Sequence, residues 1–184
     1  MVEKSGPKIV LILKPRQLQV LALQCGYRHS NNIEPLVIWI HASALNIETK
    51  GLLIRGPSRA GKSQLLLHLL DEADRKGLFG SLIADDRLGL YVQDGFLAAK
   101  PHPLIQGMVE NRPLGIIKRP FLPTSRVHAV IDIIPPHKLP SFSGDNHLLT
   151  TINLEGVELP LMMVSQHSAL AETTAKVFSL VLSL

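Results

Sequence analysis

The chain has 184 residues, which is enough for one domain with a sizeable core. Hydrophobic residues make up 46% of the chain and aromatic residues only 4%, so the core is predicted to be aliphatic. The formal charge of +4 fits a protein that binds anionic ligands, nucleotides included, while the absence of a basic block interleaved with aromatic residues argues against nucleic acid as a partner.

The cysteine count and the apolar runs bear on location. Cys25 is the single cysteine, which excludes an intrachain disulfide and favours a reducing compartment. No apolar run approaches the roughly 18 residues that a membrane helix needs, and the stretch Ile9 to Leu13 is too short for a signal peptide. The expectation is a cytoplasmic protein without a membrane partner.

Residues 1–35 differ in character from the rest of the chain. They carry scattered basic residues, two early prolines and a polar cluster, with one short helix possible over residues 16–26. They are predicted to be a poorly ordered N-terminal extension, and residues 36–184 are predicted to form the folded domain.

The predicted elements of the domain alternate between strands and helices. Apolar runs bounded by turn residues predict strands over 36–40, 41–47, 51–55, 82–84, 88–92, 96–99, 114–117, 127–134, 150–154 and 157–164. Helical apolar spacing predicts helices over about 62–76 and 169–184, while 101–108 is expected to be irregular and 135–146 a loop. Turn residues Gln93–Gly95 and Glu155–Gly156 predict two hairpins. The pattern is that of an α/β protein in which strands outnumber helices.

A glycine-punctuated loop carries the strongest motif in the chain. The motif G-x-x-x-x-G-K-[ST] is matched in full by Gly56, Pro57, Ser58, Arg59, Ala60, Gly61, Lys62 and Ser63. A predicted strand precedes the loop and a predicted helix follows it, as the phosphate-binding mechanism requires.

The physical basis of this motif predicts a role for each part. Glycines 56 and 61 let successive backbone N–H groups point at phosphate oxygens, and the helix beginning at Lys62 adds its positive end. Lys62 is expected to reach the terminal phosphates of ATP and Ser63 to bind Mg²⁺. Arg59 has two open interpretations, a contact to phosphate or a partner, and an exposed loop arginine.

Asp85 and Asp86 follow the strand after the loop's helix. A strand–helix–strand crossover makes the two strands parallel, so both carboxylates are predicted at the same sheet edge as Gly56. There they suit Mg²⁺ handling and the acceptance of a hydroxyl proton, two roles that the pair can divide. The alternative is that they cap a turn.

A histidine precedes the predicted hairpin turn at Glu48–Gly51. If that turn folds the chain back on itself, residue 41 pairs with about residue 58, which places His41 against Ser58 in the phosphate loop. A histidine there is able to donate to phosphate or relay a proton. The alternative is a structural histidine.

Four segments in order resemble the HPr kinase/phosphorylase family, over roughly residues 38–184. They are Ile40-His41-Ala42, the loop ending Gly61-Lys62-Ser63, Ala84-Asp85-Asp86, and Glu110-Asn111-Arg112-Pro113-Leu114-Gly115-Ile116-Ile117. The last resembles the family signature Glu-x-Arg-Gly-Leu-Gly-Ile-Ile. The resemblance implies a PEP carboxykinase-like mixed sheet with a C-terminal helix.

The resemblance also implies an activity and a set of roles. Members of the family use ATP and Mg²⁺ to phosphorylate a serine of HPr, a phosphocarrier of the bacterial phosphotransferase system, and many also reverse the reaction with inorganic phosphate. By position, Asp86 is the acid/base residue with Asp85 beside it, and His41 and Lys62 are catalytic helpers. Ser63 and Glu110 bind Mg²⁺, and Arg112 belongs to the signature loop; the family's hexamers make a homo-oligomer possible.

Three departures from the family pattern refine this expectation. Pro113 replaces the signature glycine, which fixes φ and removes a donor. The loop Ser165 to Ser168 lacks the arginines of dephosphorylating members, and no match is found for a further catalytic arginine. Residues 1–35 cannot supply the N-terminal domain of long members. The chain therefore resembles the short alphaproteobacterial form, and kinase activity without a strong reverse reaction is predicted.

Two other functions stay open at this stage. One is a P-loop kinase for a small metabolite, which needs a lid for which Pro135 to Asn146 is the candidate. The other is a nucleotide-binding regulator without catalysis, which Pro113 and Arg59 favour.

Overall fold

The computed structural model describes residues 35–112, 114–139 and 149–184. Residues outside the described ranges include all but the last residue of the extension predicted over 1–35, with its possible helix over 16–26, and also Pro113 and most of the loop predicted over 135–146. The strands are β1 Ile38–His41, β2 Ser43–Ile47, β3 Lys50–Arg55, β4 Gly80–Ala84, β5 Arg87–Gln93, β6 Phe96–Pro101, β7 Met108–Asn111, β8 Gly115–Lys118, β9 Ser125–Ile134, β10 Leu149–Leu154 and β11 Val157–Ser165. The α-helices are α1 Lys62–Arg75 and α2 Leu170–Ser183, and short 3-10 helices occupy Pro103–Ile105 and Pro136–Lys138.

The hairpins predicted at Gln93–Gly95 and Glu155–Gly156 are confirmed. In one, Gln93 of β5 pairs with Phe96 of β6, and in the other Leu154 of β10 pairs with Val157 of β11. The residues that connect each pair have positive φ, Asp94 at 50° and Gly95 at 79°, Glu155 at 51° and Gly156 at 85°. Two consecutive left-handed residues are the conformation that joins twisted antiparallel strands with a two-residue loop.

A single mixed sheet organises the described chain. Its strand order is β1-β5-β6-β9-β3-β2-β4, and β11 pairs with β9 and with β10. Strand β9 is the centre of this arrangement, because it runs parallel to β3 and β11 and antiparallel to β6. Strands β7 and β8 form a separate two-stranded hairpin. The predicted α/β class with a mixed sheet and a C-terminal helix is confirmed.

The predicted crossover connects β3 through α1 to β4. Both strands pair antiparallel with β2, which lies between them, so β3 and β4 run parallel to each other. The carboxyl ends of β3 and β4 therefore meet at the same edge of the sheet, as the sequence predicts.

Side chains pack on both faces of the sheet in two apolar cores. The first core joins the sheet to both helices, for example Leu52 of β3 with Leu66 of α1 and Val177 of α2. The second core contains Leu53 of β3 and Leu97 of β6 on the opposite face. Consecutive residues of β3 belong to different cores because successive side chains of a strand point to opposite faces. Neither of the described helices has the length and apolarity that spanning a membrane requires.

The predicted pairing of His41 with the phosphate loop is wrong. Ser43 pairs with Ile54 in the β2–β3 hairpin, a register that places residue 41 opposite 56 rather than 58. The hairpin also does not extend back to residue 41, because His41 belongs to β1 and pairs with Arg87 of β5. Sequence spacing could not show this break, since β1 and β2 are separated by Ala42 alone.

A bulge interrupts the pairing of β3 with β9 and brings a histidine into the backbone ladder. Gly51 pairs with Val127 and Leu52 with Ala129, which leaves His128 as the extra residue. The Gly51 N–H donates to Nδ1 of His128 at 3.0 Å. Burial, together with nearby Arg126 and Lys50, lowers the pKa of His128 below its ordinary value of 6.5.

This bulge predicts a pH-dependent stability. Because the pKa of His128 is below 6.5 in the folded state, unfolding at lower pH is accompanied by proton uptake at this residue. The contribution of His128 to the free energy of unfolding is therefore complete above about pH 6.5 and declines as the pH falls below that value. The variant His128→Asn keeps an acceptor for Gly51 but does not titrate, and we expect a smaller loss of stability between pH 7 and pH 5, measured by denaturant unfolding. His137→Asn, at an exposed histidine, is the control and retains the wild-type slope. Equal slopes for wild type and His128→Asn would contradict the assignment.

Candidate active site

The glycine-rich loop lies between β3 and α1, as predicted. A Cβ on Gly56 would lie 2.8 Å from the carbonyl oxygen of Ile133, so only glycine fits against β9 there. Gly61 has φ 95° and precedes the first turn of α1, whose N-terminal N–H groups face the loop. Arg59 also has positive φ, 65°. The sequence motif thus takes the strand–loop–helix geometry in which phosphate is bound.

Lys62 is folded back onto the loop. Its Nζ donates to the carbonyl oxygens of Gly56 and Pro57, each at 3.0 Å. The side chain is buried, and burial lowers its pKa, while the negative charges of Asp85 and Asp86 act in the opposite direction. The ammonium group therefore lies at the start of the loop, in contact with two backbone carbonyls and with the charges of two carboxylates close by.

Asp85 is a buried carboxylate that accepts hydrogen bonds from three elements. Oδ1 accepts from Ser43 Oγ of β2 at 2.5 Å and from Ser63 Oγ of α1 at 3.0 Å. Oδ2 accepts from the backbone N–H of Glu110 in β7 at 3.3 Å. Only 3% of the residue is exposed. The two acids predicted beside the loop are thus at that position, and Asp85 ties the loop helix, the sheet and the β7–β8 hairpin together.

Asp86 has the opposite environment. Its side chain is 68% exposed, and Oδ1 lies 2.8 Å from Nδ1 of His41. It adopts φ 71°, a left-handed conformation that Asp tolerates better than most residues. The register of β1 with β5 brings His41 to Arg87, beside Asp86, which explains how His41 reaches the site without the register predicted for it.

The signature segment contributes a second charged pair. Glu110 and Arg112, at the end of β7, form an ion pair at 3.0 Å with side chains that are 57% and 70% exposed. Strand β7 escaped prediction because it has only four residues and begins where the sequence predicts an irregular segment. Val109 of β7 packs into the core against α1, which fixes the hairpin beside the loop.

The oxygen donors of this site suit Mg²⁺ in type. Ser63 offers a hydroxyl, and Asp85 and Glu110 offer carboxylates, which are the hard ligands that this ion prefers. Within the described parts of the chain, no group of three or more His, Cys, Asp or Glu side chains is placed to hold a metal. An ion here would take further ligands from phosphate and water, as Mg²⁺ commonly does.

A cavity of about 490 Å³ joins these groups. Of the residues predicted for the site, it is lined by His41, Ser58, Arg59, Gly61, Lys62, Ser63, Asp85, Asp86, Glu110 and Arg112. The lining does not include Gly56, Pro57 and Ala60, of which the first two supply the carbonyls that hold Lys62. Residues from β1, the glycine-rich loop, α1, the turn between β4 and β5, and the end of β7 therefore share one space.

Sequence reasoning missed one wall of this cavity. Gln64, His68 and Asp71 of α1 line it, and their spacing of four and three residues places them on one helix face. The signal was present as a polar stripe opposite the apolar one, but such a stripe is typical of any solvated helix. Arg119 holds Asp71 by an ion pair of 2.8 Å.

The fold and the site define an α/β protein of the P-loop kind, with a glycine-rich loop before α1 and two carboxylates beside that loop. A solved structure, the Hpr(Ser) kinase/phosphatase from Coxiella burnetii, superposes with a TM-score of 0.68 at 25% sequence identity, covering 79% of this chain and 97% of that one. No protein-family model matches the chain.

Curated proteins match over a shorter stretch. The HPr kinase/phosphorylase of Lactococcus lactis subsp. lactis is 35% identical over 79 residues, 42% of this chain and 24% of that protein. The HPr kinase/phosphorylase of Mycoplasma mycoides subsp. mycoides is 37% identical over 76 residues, 41% of this chain and 22% of that protein. The match thus spans about a quarter of these relatives' length. The predicted resemblance is confirmed: the chain is similar to HPr kinase/phosphorylases in part of its sequence and in its fold.

The hydrogen bonds of Asp85 predict a stabilising role for Ser43, a residue that the motifs do not include. Ser43 is fully buried, and Ser43→Ala removes one donor from a buried carboxylate. We expect a loss of about 1.5–3 kcal/mol in the free energy of unfolding, the usual value of a hydrogen bond to a charged group. Ser179→Ala is the matched control, because the Ser179 hydroxyl bonds a helix carbonyl on an exposed face, and it should change stability by less than about 0.5 kcal/mol. Equal effects of the two changes in urea unfolding would refute the role of Ser43.

Proposed function

We propose that this protein is an ATP- and Mg²⁺-dependent protein kinase that phosphorylates a serine of an HPr-like phosphocarrier. The observation that carries the proposal is the His41–Asp86 pair at the mouth of the Lys62 cavity, an exposed carboxylate within reach of an incoming hydroxyl. The names of the curated relatives and of the solved structure support HPr as the substrate class.

Nucleotide binding follows from the loop. The backbone N–H groups of Ser58 to Ser63 and the N-terminus of α1 hold the phosphates of ATP, and Lys62 neutralises the terminal ones. Arg59 and Arg112, which line the same cavity, supply further positive charge for phosphate oxygens.

Metal binding is assigned to Ser63 and Glu110, with Asp85 beside them. Mg²⁺, when bound, neutralises charge on the transferring phosphoryl group. The contact of Ser63 Oγ with Asp85 Oδ1 keeps the hydroxyl oriented in this part of the cavity, so the carboxylate acts as the anchor of the metal-binding hydroxyl.

The transfer step uses Asp86. The serine hydroxyl oxygen of the acceptor attacks the γ-phosphorus in line, the bond from that phosphorus to the bridging oxygen breaks, and ADP leaves. Asp86 takes the hydroxyl proton. Its high exposure lets a protein surface approach it, and the 2.8 Å contact with His41 Nδ1 holds its carboxylate beside the cavity.

The acceptor is proposed to be a protein rather than a metabolite because the site is open. Asp86, Glu110 and Arg112 are all more than half exposed. The lid that a metabolite kinase needs was predicted over 135–146, and most of that segment lies outside the described residues. The reverse reaction is proposed to be weak, because the loop Ser165 to Ser168 offers no arginine for inorganic phosphate.

One assay separates the proposed kinase from the alternatives. The protein is incubated with labelled ATP, Mg²⁺ and HPr, and we expect label on a serine of HPr. Label on metabolites alone would indicate the metabolite kinase. ATP that is bound but not consumed would indicate the nucleotide-binding regulator. Asp86→Asn is expected to bind ATP with unchanged affinity and to lose transfer by at least about a hundredfold, the usual contribution of a general base. Retained turnover in Asp86→Asn would refute the assigned base; Asp74→Asn, on the solvent side of α1, is the control.

The metal assignment predicts a specific defect in Glu110→Gln. Removing one carboxylate charge weakens a hard-cation site, so a higher Mg²⁺ concentration, by about tenfold, is expected to be needed for half-maximal ATP turnover. Nucleotide affinity measured without metal should stay the same. Glu158→Gln on β11 serves as the control. An unchanged Mg²⁺ requirement would remove Glu110 from the metal site.

A further inference from the structure

An ion pair lies at the end of β3, immediately before the phosphate loop. Arg55 is the last residue of β3, and its Nε and Nη2 donate to Oδ1 and Oδ2 of Asp132 at 2.7 and 2.6 Å. The side chains are 27% and 20% exposed, so the pair is largely shielded from water. This bidentate fork is the geometry that gives an Arg–carboxylate pair both strength and direction.

The pair joins two parallel strands at the level where the loop begins. Arg55 and Asp132 are register partners in β3 and β9. One residue further along each strand, Gly56 lies so close to Ile133 that a Cβ would be 2.8 Å from its carbonyl oxygen. Strand β9 therefore packs directly against Gly56, the first residue of the loop, and the ion pair fixes the distance between β9 and the start of the loop.

The position of Gly56 also affects Lys62, the residue proposed to neutralise the nucleotide phosphates. Lys62 Nζ donates to the Gly56 carbonyl at 3.0 Å. A shift of Gly56 against β9 would therefore move both the loop amides and the contact that orients the lysine. The contact chain runs from Asp132 through Arg55 and Gly56 to Lys62.

We propose that Arg55 and Asp132 are a positioning pair that presets the phosphate loop for nucleotide phosphates. The inference rests on the proposed nucleotide binding but not on HPr as acceptor. The pairing of β3 with β9 ends at Arg55 and Asp132, so the loop that follows β3 would be free to shift against β9. The fork at this last pair removes that freedom before the ligand arrives.

The test measures nucleotide affinity and stability separately. The variants are Arg55→Gln, Asp132→Asn and the double variant, which leaves no charge unpaired. We expect the dissociation constant for ATP, measured by calorimetry on the folded proteins, to rise about tenfold in each single variant. The double variant should lose no more than a single one, because the two residues act as a unit.

Two controls make the outcome decisive. Arg75→Gln breaks a surface ion pair of 2.9 Å with Glu72 and should leave ATP affinity within about twofold. Arg55→Lys keeps the charge and the aliphatic stem but not the fork, so it should fold and show an intermediate affinity. If a single variant fails to fold, Arg55→Lys and the double variant decide the question.

The results distinguish this inference from the proposed function. If the wild-type protein binds no nucleotide, the proposed function fails. If the wild type binds ATP and the Arg55 and Asp132 variants bind it equally well while losing only thermal stability, the pair is structural and the positioning role is overturned.

Discussion

The carboxylate of Asp85 is the contact on which the arrangement of the site depends. It receives the hydroxyl of Ser43 from β2, the hydroxyl of Ser63 from α1 and the amide of Glu110 from β7. A buried carboxylate is costly unless it is fully hydrogen-bonded, so the three elements are held where their donors meet it. The loop helix, the central sheet and the signature hairpin are thereby fixed around one buried charge.

Two adjacent acids in the sequence have different environments in the fold. Asp85 directly follows β4 and is buried, while Asp86 has a left-handed backbone conformation and is exposed. This change of direction at one residue separates an anchoring carboxylate from an exposed one that contacts His41. The difference between these two chemically identical groups is thus set by burial and hydrogen bonding, not by residue type.

The comparisons and the geometry support each other at different scales. The solved Coxiella structure covers most of this chain and matches its overall fold, whereas the curated relatives match over 79 residues or fewer of a much longer protein. The site adds what neither comparison contains, namely which side chains of this chain meet in one cavity. The Arg55–Asp132 fork, at the strand end that leads into the loop, lies outside every motif that suggested the family.

The sequence by itself determined the phosphate loop, its flanking strand and helix, both two-residue hairpins and the parallel direction of β3 and β4. These features follow from local spacing, turn residues and the handedness of a crossover. Only the tertiary structure decided that β2 lies between β3 and β4, that β7 exists, and that His41 reaches Asp86 from β1. Ser43, Asp132 and the α1 face with His68 were likewise beyond the sequence. Their partners are distant along the chain, and pairing between remote strands depends on the packing of the whole sheet rather than on local pattern.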